Sequence, residues 1–224
     1  MLGQPPQTVV GIDEAGRGSW VGPLVVGAVA VPRPSLGEVA ATGARDSKTL
    51  SAHRREAILA LLEQGAQVRS IEASPAEVDR WVTEGRLNQL EARLFGTLAR
   101  GFSPAEARVD ACDANAGRFG ALVARFAGPA VRVVARHHAD ATDALVGAAS
   151  IVAKVRRDRA IRRLSEILGE DVGSGYPSDP VTLRFVRRTV DPNAPLPSWL
   201  RSSWATTRRI IGSARTDRGG TPGR

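Results

Sequence analysis

Four carboxylates, Asp13, Glu14, Asp110 and Asp140, stand at the ends of short apolar segments or in the loops that follow them, in surroundings otherwise apolar or basic. In α/β sheets the functional crevice lies at strand ends. Carboxylates delivered there from separate strands repel one another by several kcal/mol at an effective dielectric of about 20, so a cation must hold them. Oxygen-only donors, without histidine or thiolate, favour hard ions such as Mg²⁺ or Mn²⁺, and four carboxylates balance two divalent ions in charge. Two such ions form a device for in-line displacement at phosphorus. Taken singly, each acid reads as a helix cap or a surface ion pair, so the flanking residues must decide.

The elements that would position these acids are legible in outline. Segments 9–12, 24–31, 68–73, 108–111 and 131–135 are short, mostly rich in valine and bounded by glycine, proline or polar turns, and they read as five strands. Leu87, Leu90, Leu94 and Leu98 put one apolar stripe on a helix closed by Gly101. Ser74, Pro75, Ala76 and Glu77 form a capping box with proline at the first helical position; the same four letters at 103–106 run straight into a strand and predict no helix. Residues 145–168 predict a long helix, small and apolar in its first half and basic in its second, one end buried and the other facing a polyanion. Three strands precede the first alternation with helices. The expected sheet is therefore mixed, antiparallel at its start and parallel later, with helices on both faces.

Composition narrows the class. With 224 residues, 42% hydrophobic and 24% charged, the chain is neither a disordered protein nor a coiled coil, and a core with a smaller C-terminal part is expected. The longest apolar run, 20–32, falls well short of the roughly 20 residues that cross a bilayer. No secretory leader pattern opens the chain, and its single cysteine, Cys112, reads as a small buried hydrophobe in a strand; a soluble, cytoplasmic protein with no membrane partner is expected. The net charge of +8 is concentrated: residues 154–163 and residues 201–224 carry +5 each, and the remainder is slightly acidic. Nucleic acid is the leading partner class, with a solvated helix face and a disordered tail as the plainer reading. Of 31 basic residues only Lys48 and Lys154 are lysine, which suggests that a compact ammonium is needed at those two positions.

Gly11, Ile12, Asp13, Glu14, Ala15, Gly16, Arg17 and Gly18 resemble the signature of type 2 ribonuclease H, ribonuclease HII, at the end of the first strand. Asp46, Ser47 and Lys48 with Leu50 are similar to the next motif of that family, and residues 110–113 to its third acidic strand. Asp140, then residues 148–151 and 153–155, resemble its fourth motif, and residues 173–180 (GSGYPSDP) resemble the archaeal and eukaryote-like form. The likeness spans roughly residues 9 to 209.

The resemblance implies an α/β RNase H-like fold, a five-stranded mixed sheet flanked by helices with a small helical C-terminal region. The expected divisions are a catalytic core over 1–155, a substrate-binding region over 156–212 and a disordered basic tail over 213–224. It implies an endoribonuclease that hydrolyses the RNA strand of RNA/DNA hybrids and cuts on the 5′ side of ribonucleotides embedded in DNA duplexes, leaving 3′-hydroxyl and 5′-phosphate ends. Asp13, Glu14, Asp110 and Asp140 match the catalytic metal-binding carboxylates, for two Mg²⁺ or Mn²⁺ ions. Gly16, Arg17, Gly18 and Tyr176 match the residues around the ribose 2′-hydroxyl, and Lys48 and Lys154 join them as substrate-binding residues. Only that hydroxyl separates RNA from DNA at one nucleotide, and glycines let backbone amides approach it.

Ser19 stands where the family usually has proline, so a looser loop is expected. His137 and His138, just before Asp140, are candidates for proton transfer or phosphate contact, while Asp113, Asp143 and Asp179 read as turn and cap residues. Trp204 beside Arg201 could flank the duplex. Residues 213–224 lack the paired aromatics of a sliding-clamp peptide, which makes a sliding-clamp partner doubtful, and the chain is expected to act as a monomer. The alternatives are a ribonuclease HIII-like enzyme, in which threonine stands at the position of Arg17, and a non-enzymatic basic nucleic-acid-binding domain.

Overall fold

The computed structural model describes residues 7–44, 47, 49–191, 194–204 and 207. Asp46, Lys48 and the tail 213–224 lie outside the described residues. Five strands, β1 (Thr8–Ala15), β2 (Leu24–Pro32), β3 (Gln67–Ala73), β4 (Glu106–Asp110) and β5 (Arg132–Arg136), form one mixed sheet in the order β3-β2-β1-β4-β5. Strand β1 runs antiparallel to β2 and parallel to β4, which is parallel to β5. The chain thus has the RNase H-like architecture expected of it. Eight α-helices are described: α1 (Leu36–Ala41), α2 (Ala52–Gly65), α3 (Pro75–Thr83), α4 (Leu87–Phe102), α5 (Ala116–Ala127), α6 (Ala139–Thr142), α7 (Ala144–Leu168) and α8 (Pro180–Thr189).

The strands do not all precede the helices. Helices α1 and α2 separate β2 from β3, and Ser51, whose hydroxyl accepts from the Arg54 amide, supplies the start signal for α2. The capping box at Ser74 forms as expected and opens α3, with Ser74 Oγ accepting from the Glu77 amide at 3.2 Å. Helix α4 runs through Gly101 to Phe102: Arg69 donates to the Gly101 carbonyl and its guanidinium lies 4.6 Å from the centre of the Phe102 ring. Strand β4 ends at Asp110, so Cys112 falls after it; half-buried, its thiol donates to the Glu91 carboxylate at 2.8 Å.

By contact the chain divides into two compact units. The first draws on Met1–Ala15, Val25–Glu72 and Leu87–Arg156, the second on Gly16–Leu24, Ala73–Arg86 and Arg157–Arg224. In the first, α2 and the front of α7 bury Ile58, Leu59, Leu62, Leu145, Ala148, Ile151 and Val152 with Val9, Val29 and Val31 of the sheet. Two glycines set how close α7 comes. A Cβ on Gly11 would lie 2.4 Å from the Leu145 carbonyl oxygen, and one on Gly27 2.5 Å from that of Ala149. Helices α4 and α5 pack together through Phe95 and Phe119, whose rings meet edge to face at 5.4 Å. The second unit has its own core of Trp20, Val21, Ile161, Val172, Phe185, Val186 and Leu200. Among the described residues no helix is long and apolar enough to cross a membrane.

Candidate active site

Parallel strands end on the same edge of a sheet, so the C-terminal ends of β1, β4 and β5 lie side by side. Strand β1 carries Asp13 and Glu14 there and β4 carries Asp110. Carboxylate oxygens of these three residues all lie within 4.8 Å of one another. Asp13 is 4% exposed, while Glu14 and Asp110 are half-buried. The loop after β5 contributes Asp140. His138 takes a left-handed conformation (φ 55°) and opens α6, so that the Ala139 amide donates to Asp110 Oδ1 at 2.7 Å and Asp140, 5% exposed, sits in the first turn. Asp140 is not one of the 4.8 Å group, but its charge acts on Asp110.

These neighbours strain one another electrostatically. Burial pushes the Asp13 carboxyl well above the usual carboxylate range, and the Glu14 and Asp110 charges add to it; a hydrogen bond from Ser150 works the other way. Asp110 is raised too, by burial first and then by Asp140 and Glu14, against the Ala139 amide. An all-oxygen donor set that is buried, negatively charged and self-repelling is one that a hard divalent cation fits.

Helix α7 reaches this cluster because Gly11 and Gly27 let it lie on the sheet. Asp13 pairs opposite Gly27 in the register of β1 and β2, and Ser150, one residue beyond Ala149, is the residue whose hydroxyl reaches Asp13. Ser150 Oγ is 2.8 Å from Ser47 Oγ. Lys154 follows Ser150 by four residues, on the same helix face, and is half-buried. Ser150 lies inside a recognised motif; only the depth of α7 shows its contact with Asp13. Asp113, Asp143 and Asp179 hold turns and caps as expected, through the amides of Asn115, Leu145 and Val181.

The second unit contains Gly16, Arg17, Gly18 and Tyr176 together. Gly16 has φ 92°, and Ser19, fully buried, donates from both its amide and its hydroxyl to the Gly16 carbonyl, the hydroxyl at 2.9 Å. The turn expected to be loose is therefore closed twice by its serine. The amides of Trp20 and Val21 both donate to the Gly175 carbonyl, the residue before Tyr176. Arg201 donates to the carbonyls of Arg17 and Gly22, and the Arg157 guanidinium lies 4.3 Å from the centre of the Tyr176 ring. Both arginines are 0% exposed, so Arg157 is an exception to the expectation that the basic end of α7 faces a polyanion, and Arg201 of the C-terminal basic run is buried too. Trp204 is half-buried against the core of this unit.

Residues 10–207 match the Ribonuclease HII family profile. The chain belongs to the ribonuclease HII family. It is 44% identical over 205 residues to the ribonuclease HII of Methanocella arvoryzae, covering 91% of this chain and 92% of that one. Among solved structures, ribonuclease H2 of Pyrococcus horikoshii superposes with a TM-score of 0.83 at 34% identity, over 93% of this chain and 99% of that one. An RNase HII of Archaeoglobus fulgidus, solved as a complex with PCNA, gives 0.80 at 36%, over 88% and 95%. An RNase HIII shares the fold at 21% identity. The chain is accordingly an endoribonuclease of the ribonuclease H type, and neither the HIII-like nor the non-enzymatic alternative stands.

Proposed function

We propose that this enzyme hydrolyses the RNA strand of RNA/DNA hybrids and cuts on the 5′ side of single ribonucleotides in DNA, leaving 3′-hydroxyl and 5′-phosphate ends. The observation that carries the reading is the cluster of Asp13, Glu14 and Asp110, whose oxygens lie within 4.8 Å at the ends of parallel strands, with Asp140 next to it. These four residues would hold two divalent ions, Mg²⁺ or Mn²⁺. When bound, such a pair supplies Lewis acidity at a phosphoryl oxygen and lowers the pKa of a water. The chain's own part is to orient the carboxylates: Ser150 donates to Asp13 and the Ala139 amide to Asp110, each favouring the charged form against the burial and repulsion that raise both groups. Lys154, on the Ser150 face of α7, supplies a cation for a substrate phosphate, and Lys48 would add another.

Selection for ribose falls to Gly16, Arg17, Gly18 and Tyr176. Gly18 supports this assignment because protein packing does not explain it: a Cβ there would meet nothing within 4 Å, and its backbone is not left-handed. A glycine that packing does not require suits a place where a ligand must approach the backbone closely. Tyr176 offers a hydroxyl and a ring face, one for the 2′-hydroxyl and one for the sugar.

The test is a labelled DNA duplex carrying one ribonucleotide, incubated with Mg²⁺, Mn²⁺ or chelator, and mapped at nucleotide resolution. Cleavage 5′ of the ribonucleotide, dependent on metal and absent from the all-deoxy duplex, is expected. Cutting that resists chelator, or cutting of the all-deoxy duplex, would overturn the assignment.

A further inference from the structure

We propose that two buried arginines, Arg201 and Arg157, are positioning residues for ribose selection, Arg201 by fixing the backbone of loop 16–18 and Arg157 by fixing Tyr176 against it. The proposal rests on the reading that this loop and Tyr176 touch the ribose.

Arg201 is 0% exposed and spends its guanidinium on backbone: Nε and Nη2 donate to the Gly22 carbonyl at 3.2 and 3.1 Å, and Nη1 to the Arg17 carbonyl at 3.0 Å. One planar fork thus spans the two ends of the turn that contains Gly18. Its own backbone is tied to the same segment, its amide donating to the Trp20 carbonyl at 2.8 Å while Val21 and Leu200 form a β-bridge. Asp79 on α3 fixes the next two residues, accepting from the amides and hydroxyls of Ser202 and Ser203.

Arg157 lies between the loop and the tyrosine. A Cβ on Gly16 would be 2.6 Å from its Nε, and one on Gly175 2.8 Å from its Nη2. Nη2 donates to the Ser174 carbonyl at 2.9 Å, and the guanidinium carbon is 4.3 Å from the Tyr176 ring centre. The side chain therefore sets the spacing between Gly16 and Tyr176 as a wedge with a glycine on two sides.

Stability alone does not account for Arg157. Asp158 approaches Arg157 no closer than 3.8 Å, and Nε and Nη1 of Arg157 make no hydrogen bond. Burying a guanidinium with so little compensation is unfavourable, and apolar replacements of similar volume are commonly neutral or stabilising. What an apolar residue could not do is hold two carbonyls or a ring at a fixed place.

The experiment compares Arg201→Lys and Arg157→Lys with Val186→Ala, which opens a cavity in the apolar core of the same unit and removes no polar contact to the loop or to Tyr176. Cleavage of the one-ribonucleotide duplex is measured well below each melting temperature, alongside amide hydrogen exchange of residues 16–22. An ammonium cannot span both carbonyls, so Arg201→Lys should lose roughly tenfold to hundredfold in kcat/KM, the cost of leaving a buried group unpaired. Its loop amides should exchange faster. Arg157→Lys should lose activity as well, and carries the test if Arg201→Lys does not fold. Val186→Ala should melt lower yet cleave within about twofold of the unaltered enzyme. Lysine variants as active as the unaltered enzyme, or Val186→Ala as impaired as they are, would overturn the proposal. Tyr176→Phe assayed in parallel separates the two levels: if it cleaves normally the ribose reading itself fails, and if it alone is impaired only the role of the arginines does.

Discussion

Among the described residues the molecule buries charge of one sign in each of its two units, and treats the two differently. In the first, Asp13 and Asp110 are pushed up in pKa by burial and by neighbouring carboxylates. In the second, Arg201 is pushed down to about 10, by burial and then by Arg157, yet its donors end on backbone carbonyls. Arginine remains cationic there at any physiological pH. Carboxylates crowded against one another, with few donors between them, suit a cation from outside the chain; the Arg201 guanidinium, capped by the carbonyls of Arg17 and Gly22, is satisfied within it. For Asp13 and Arg201 the difference lies in what surrounds the charge: other carboxylates crowd the one, and backbone carbonyls accept from the other.

The sharpest way to break this contrast is Asp13→Asn, which removes one charge and keeps the shape. Cleavage should fall by orders of magnitude. Stability should move the other way in chelator. A carboxyl whose folded pKa lies above its unfolded value of about 4 contributes fully when protonated and loses that contribution as pH rises through the folded value. Asparagine never ionises, so at pH 7 the variant should melt no lower than the unaltered protein, with the difference closing below about pH 4. A clear drop in its chelator melting temperature at pH 7 would contradict the repulsive picture.

Tyr176 tests the other unit. Tyr176→Ala removes hydroxyl and ring, Tyr176→Phe only the hydroxyl, so Ala should be the worse of the two and Phe should lose roughly tenfold to hundredfold in kcat/KM on a one-ribonucleotide duplex. Equal rates for both variants and the unaltered enzyme would make Tyr176 a packing residue.

A smaller effect comes from the metal alone. Mg²⁺ or Mn²⁺ at about ten times its dissociation constant stabilises by about 1.4 kcal/mol, or roughly 3–6 °C in melting temperature, and Asp13→Asn should abolish most of the shift. Calorimetry with and without chelator reads it directly. The least effect is expected from deleting residues 213–224, a net loss of two positive charges. Chemistry should survive, while the slope of log affinity against log salt becomes shallower by roughly two units if the tail touches phosphate. An unchanged slope would assign it no part in binding.

The carboxylates were legible in the sequence because Asp13, Glu14 and Asp110 stand at the ends of short strands and Asp140 in the loop after one, and because Gly16, Arg17 and Gly18 follow closely on Asp13 and Glu14. The parallel arrangement that brings Asp110 beside them followed from strand and helix alternation. Helix α2 interrupts that alternation, and its start at Ser51 is a signal that the strand pattern overshadows. The arginines were illegible for a different reason. Arg157 stands in a run of basic residues, and nothing local separates it from exposed Arg162 and Arg163; only the fold decides which side chain points inward. Charge counted along a chain is blind to burial. The serine at position 19 shows the converse, since the hydroxyl that takes the place of a rigid ring makes its own bond to Gly16.

The contact of α7 with the sheet at Gly11 and Gly27 has a consequence for how the enzyme tolerates change. Each hypothetical Cβ there meets backbone, at 2.4 and 2.5 Å, and backbone cannot swing aside as a side chain does. In a scan of all amino acids at these two positions, alanine should therefore be nearly as damaging as tryptophan, giving a flat profile in place of the usual gradient with size. Evolution and directed screening alike should find no small step away from glycine there, whatever freedom the surrounding valines enjoy.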